Sequence, residues 1–148
     1  MIKIRTFKDN ERGAALVEFS IAATVFVMVL FAVIEFGRAA WTHNALADAA
    51  RRGARYAVVN GTANEDNVKN VVVYGDPDGG TKPVVDGLTT DNVVVDYEGF
   101  GLDVGTVQVT IINYKFNFVV PVVGTKIDMP NYTTTLTGES AGTLPPTL

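Results

Sequence analysis

The stretch from Ala14 to Ile34 carries one charge, Glu18, and is otherwise built of residues suited to the inside of a bilayer. At ~1.5 Å per residue it makes a helix of roughly 31 Å, close to the ~30 Å hydrocarbon core. A secretory signal peptide fits poorly, because the run is too long and continues into Glu35-Phe36-Gly37-Arg38 rather than a small-residue exit. The stretch therefore reads as a retained transmembrane helix, and the lipid bilayer is the first expected partner. Within it Glu18 is costly unless it sits at headgroup depth or is met by a partner charge.

Around this span the chain divides into further pieces. Residues 1–13 are short and polar, with Lys3, Arg5, Lys8 and Arg12 outnumbering Asp9 and Glu11, and resemble a leader. Residues 35–60 continue the helix beyond the membrane. From Glu35 to Val58 there is no proline, alanine is abundant, and Ala45, Ala49, Gly53 and Ala57 recur every four residues along one face. Such a stripe lets another backbone or sheet approach closely, as between membrane helices; alanine's helix propensity alone also accounts for it. Arg51, Arg52 and Arg55 fall on the other side and suit the negative end of the helix dipole. Asn60-Gly61 is a common helix stop.

Beyond Gly61 the periodicity turns strand-like. Val68 to Tyr74, Asn92 to Tyr97, Val104 to Phe118 and Asn131 to Leu136 are rich in Val, Ile, Thr and aromatics and are separated by Gly, Asp and Pro clusters. They predict three or four strands in a small antiparallel sheet, with Val107, Val109 and Ile111 on one face and Gln108, Thr110 and Ile112 on the other. So small a sheet is marginal alone, and packing on the outer half of the long helix buries its apolar face. The expected fold is α+β: a long N-terminal transmembrane helix followed by an acidic β-sheet domain over residues 61–148. Val119 to Gly124 reads as an apolar turn or crossover, and Gly142 to Leu148 as a flexible tail.

Composition removes several functions. The 148 residues include no cysteine, so thiolate metal sites, disulfides and cysteine nucleophiles are excluded. From Gly61 onward four lysines stand against eleven carboxylates, a poor surface for nucleic acid. His43 is the single histidine and has no evident triad, so no enzyme activity and no cofactor are expected. Asp76 and Asp78 in Gly75-Asp76-Pro77-Asp78-Gly79-Gly80, with Asp86 nearby, make an extracellular Ca²⁺ site conceivable, but the loop lacks the bidentate Glu of an EF-hand and reads as a solvated turn.

Gly13 followed by Ala14-Ala15-Leu16-Val17-Glu18-Phe19 matches a prepilin processing site: a glycine before the cut and a glutamate at the fifth mature position. From Arg12 to Val58, through "VIEFGRAAWTHNALADAARRGARYAV", the chain closely resembles TadE-like proteins, the pseudopilins of tight-adherence (Tad, type IVc) pilus systems. Ala14 departs from type IVa pilins, which have phenylalanine there, and the acidic β domain departs from the major tight-adherence pilin, which is little more than a helix. The resemblance thus implies a minor pilin. It also implies cleavage between Gly13 and Ala14 by a prepilin peptidase, and an inner-membrane, single-pass chain with its C-terminus outside the cytoplasm, able to pass into a pilus. Other pilins and the inner-membrane assembly platform are the implied partners. The new amine on Ala14 would pair with Glu18 of a neighbour and set axial register, with Phe19 beside it. Two alternatives stay open: an unprocessed membrane-anchored scaffold or binding protein of the assembly machine, and a main filament subunit.

Overall fold

The computed structural model describes residues 10–60, 64–99, 105–119 and 126–138. The leader up to Asp9, all of the apolar turn but Val119, and the C-terminal tail lie outside the described residues. Helix α1 spans Asn10–Asn60 without interruption, 51 residues or roughly 75 Å. Among the described residues a second helix, α2 (Glu65–Tyr74), and a 3-10 turn (Thr90–Asn92) precede five strands: β1 (Val93–Glu98), β2 (Thr106–Ile111), β3 (Lys115–Asn117), β4 (Lys126–Asp128) and β5 (Tyr132–Thr137). Strands β1, β2 and β5 form one antiparallel sheet in the order β1-β2-β5, and β3 pairs with β4 in a separate two-stranded hairpin. The fold is α+β, a long apolar helix carrying a small antiparallel head.

One segment is corrected outright: Val68 to Tyr74 is helix, not strand. Its valines are β-branched, but Val68, Val71 and Val72 also fall at helical spacing and are buried. Glu65 and Asp66 sit in the first turn, where the helix dipole favours carboxylates. Lys69 Nζ lies 2.7 Å from Glu65 Oε1 one turn away, and this hydrogen bond, ahead of a smaller opposing effect of burial, holds the lysine pKa above its ordinary value. Gly75, at φ +80°, closes the helix by donating its N–H to Val71 O. Those end signals and the helical spacing outweigh the weak intrinsic preference of valine for strands.

The run from Val104 to Phe118 is likewise not one strand. It breaks between β2 and β3 at Asn113, whose φ of 56° turns the chain. Within β2 the alternation holds: Val107, Val109 and Ile111 are buried, while Gln108 and Thr110 face outward and hydrogen-bond across the strand pair to Thr135 and Thr133, each at 3.2 Å.

The core lies where the sheet and α2 meet the outer half of α1. Leu46, Ala49, Ala50, Ala54 and Ala57 of the helix pack with Val68, Val72, Val107, Val109 and Ile111. Of the small-residue stripe, Ala49, Gly53 and Ala57 are buried and Ala45 is partly so. A Cβ placed on Gly53 would run into Val72 Cγ2 and meet Val109 Cγ1 at 3.5 Å, so at this turn the glycine admits both α2 and β2. The last turn of α1 holds no basic residue, which corrects the expected dipole role of the arginines. Arg51, Arg52 and Arg55 are exposed, and Arg51 pairs instead with Asp48 at 3.0 Å.

Candidate functional site: the bare helix and its junction with the head

The inner half of α1 stands clear of the head. Leu16, Val17, Phe19, Ile21, Val25, Phe26 and Met28 are all exposed, Phe19 to 71%. Among the described residues this is the one helix long and apolar enough to cross a membrane, and none of its most apolar window is buried. The polar hydroxyls of the span are satisfied within the helix. Ser20 Oγ donates to Leu16 O and Thr24 Oγ1 to Ser20 O, both at 2.7 Å, which removes the cost of carrying them into lipid. Glu18 differs. Its carboxylate is exposed and, among the described residues, has no hydrogen bond or ion pair, because its neighbours on this helix offer no spare donor. Gly13 and Ala14 lie on the same exposed helix, and a Cβ on Gly13 would meet nothing within 4 Å.

At the outer end of the span stands a cluster built on Glu35 and Arg38. Glu35, one residue past Ile34, is 4% exposed. Its Oε2 accepts from Arg38 Nη2 at 2.8 Å and from the Val119 backbone N–H at 3.4 Å. Arg38 Nη2 also donates to the Asn117 carbonyl, and the guanidinium lies 4.3 Å from the centre of the Phe116 ring. The pair thus ties the β3–β4 hairpin to α1 directly above the apolar run. A Glu and an Arg three apart on a helix were the available signal, but nothing in the sequence told which distant strand they would grip.

Farther out, His43 Nδ1 lies 2.8 Å from the Tyr132 hydroxyl, with the two rings edge to face at 5.1 Å. The contact pins β5 to the helix, and burial raises the Tyr132 pKa. Asp76 Oδ1 accepts from the Asp78 backbone N–H at 2.9 Å, so this loop closes on itself as a turn. Among the described residues no group of three or more His, Asp or Glu is placed to hold a metal.

A bare apolar helix, long enough to cross a membrane, stands at one end, and a small head clasps its other end. Residues 13–55 match the family model of TadE-like protein, and in this segment the chain is similar to that family. The match ends before the head begins. No curated protein and no solved structure matches the chain.

Proposed function

We propose that this protein is a structural, pilin-like subunit of a Tad-type pilus system, a minor pilin cleaved after Gly13 and assembled through its bare helix. The TadE-like match supports a pilus-related, pilin-like and non-enzymatic protein that interacts with other pilins and the assembly machinery. The observation that carries the finer reading is Glu18: an exposed carboxylate without a partner among the described residues on an otherwise apolar span, while the hydroxyls around it are satisfied. In lipid such a charge is expensive, and a counter-charge delivered at the same depth offsets the cost. Cleavage between Gly13 and Ala14 by a prepilin peptidase would supply that charge, as the α-amino group of Ala14 on a neighbouring subunit. Slipped neighbours would leave both charges unpaired, so the pair sets register, and Phe19 packs beside it. The chain then sits in the inner membrane with its head outside the cytoplasm until it is drawn into the pilus. The head, ordered on the helix face of Ala45, Ala49, Gly53 and Ala57, rides on the span.

The test is Glu18→Gln, which keeps shape and removes charge. Membrane insertion and head stability should be unchanged, while co-purification with other pilus components falls, because the neighbour's buried amine loses its counter-ion at a cost of several kcal/mol. Equal recovery at matched membrane levels, with processing confirmed in both, would favour an unprocessed membrane scaffold instead.

A further inference from the structure

Between α1 and the β3–β4 hairpin runs an apolar groove of about 590 Å³. Val29, Val33 and Phe36 form one wall; Phe118, Ile127 and Met129 form the other. The helical wall is not ordinary surface. Val29 and Val33 belong to the apolar span, so a bilayer that receives Ala14 to Ile34 must reach them, Val29 lying about 7 Å inside the boundary set by Ile34. The facing wall is at the same height, because the Glu35–Arg38 pair holds the hairpin against this part of the helix. Whatever solvates Val29 and Val33 therefore also solvates Phe118 and Ile127.

The hairpin is made for that environment. Ile127 is 49% exposed and Val119 74%, and Phe36 of the facing helix is 75% exposed, a large apolar display on the two sides of the groove. Along β4 the side chains alternate, so Lys126 and Asp128 point away from the face that Ile127 turns to the groove. The one carboxylate at the groove, Glu35, is already hydrogen-bonded and places no unpaired charge against an apolar ligand.

We infer that the groove is filled by a phospholipid acyl chain from the leaflet on the head's side, which makes the β3–β4 hairpin a second membrane contact beside the transmembrane helix. The hairpin and helix together hold one face of the head against the bilayer, and the Glu35–Arg38 pair lies under it at the lipid boundary. This rests on the reading of α1 as membrane-spanning.

The absence of cysteine from the chain allows a direct test. Single substitutions Val25→Cys, Ile127→Cys and Thr135→Cys in the full-length protein are labelled with an environment-sensitive fluorophore and reconstituted at high lipid excess in phosphatidylcholine vesicles. Quenching by phosphatidylcholine spin-labelled on its acyl chain is compared with quenching by aqueous iodide. Val25 is the reference for the span and the exposed Thr135 the reference for water; Ile127 is half exposed, so its replacement leaves the core intact. The expected result is a label at Ile127 quenched by the spin-labelled lipid and shielded from iodide, as at Val25. An Ile127 label that behaves like Thr135 while Val25 is lipid-quenched overturns the inference and leaves the anchored reading standing. Shielding at Ile127 from both quenchers, relieved by diluting the protein with lipid, assigns the groove to a second copy and also overturns it. Loss of lipid quenching at Val25 itself removes the anchored reading and the inference together.

Discussion

Along the inner half of α1, from Leu16 to Ile34, Leu, Val, Ile and Phe side chains face outward in every direction, whereas from Ala49 to Ala57 the buried face consists of alanine and glycine while arginines occupy the exposed side. The same backbone thus carries two opposite arrangements of side-chain size. In the inner half bulky apolar residues suit a solvent of lipid tails, and the hydroxyls of Ser20 and Thr24 are satisfied within the helix, Glu18 being the exception. In the outer half small residues bring α2 and β2 close enough to exclude water from the contact. The Glu35–Arg38 pair marks the changeover, with the hairpin tied down where the bare run gives way to the packed face.

The sharpest way to break this contrast is one substitution made at two places on the helix. Gly53→Leu should overpack the contact with Val72 and Val109 and cost ~1 to 3 kcal/mol, seen as a fall in the melting temperature of the detergent-solubilised protein. Gly37→Leu, where an added Cβ meets nothing within 4 Å, should leave that temperature unchanged or raise it slightly through helix propensity. Equal falls would mean that the helix is packed alike at Gly37 and at Gly53.

Glu35→Gln addresses the changeover point. Arg38 is partly exposed to water, so solvent screening limits the loss to about 1 kcal/mol. Hydrogen exchange should accelerate at Lys115 to Asn117 before it changes in β1, β2 or β5, because among the described residues this pair grips the hairpin.

How far the sequence revealed this arrangement depends on the length of each pattern. The unbroken helix was readable because an apolar run and a four-residue repeat followed one another without proline up to Asn60. Strand β2 was readable because Val107, Val109 and Ile111 alternate with polar residues. Helix α2 was misread: a short valine-rich run satisfies both periods, and its decisive signals, Glu65, Asp66 and Gly75, lie at or beyond its edges. The division into a three-stranded sheet and a separate hairpin turns on a single residue, Asn113. At the candidate site, Glu18 was conspicuous as a lone charge, but the grip of Glu35 and Arg38 on Asn117 joins residues far apart in the chain and becomes legible only once the chain is folded.

The smallest expected effect concerns only the head. Burial, chiefly, raises the pKa of Tyr114, Tyr97 and Tyr132 above the ordinary tyrosine value of about 10. The folded state thus binds these protons more tightly than the unfolded chain. Their contribution is fully present below pH ~10 and is lost as pH rises through the higher folded values. Tyr114→Phe removes the 2.7 Å hydrogen bond to Asp86 O and should cost about 1 kcal/mol at neutral pH, while making the alkaline loss of stability shallower. Urea titrations at neutral pH and at pH ~10.5 measure both effects.

The central claim is that the bare half of α1 belongs to a processed subunit whose exposed Glu18 meets a charge created at Ala14. Intact mass of the protein isolated from membranes of cells with an active prepilin peptidase tests it most directly, with cells lacking the peptidase as reference. The account predicts a chain beginning at Ala14 in the first and retaining the residues before it in the second. A chain that still begins at Met1 or Ile2 where the peptidase is active would contradict it, since no amine would then stand at the depth of Glu18.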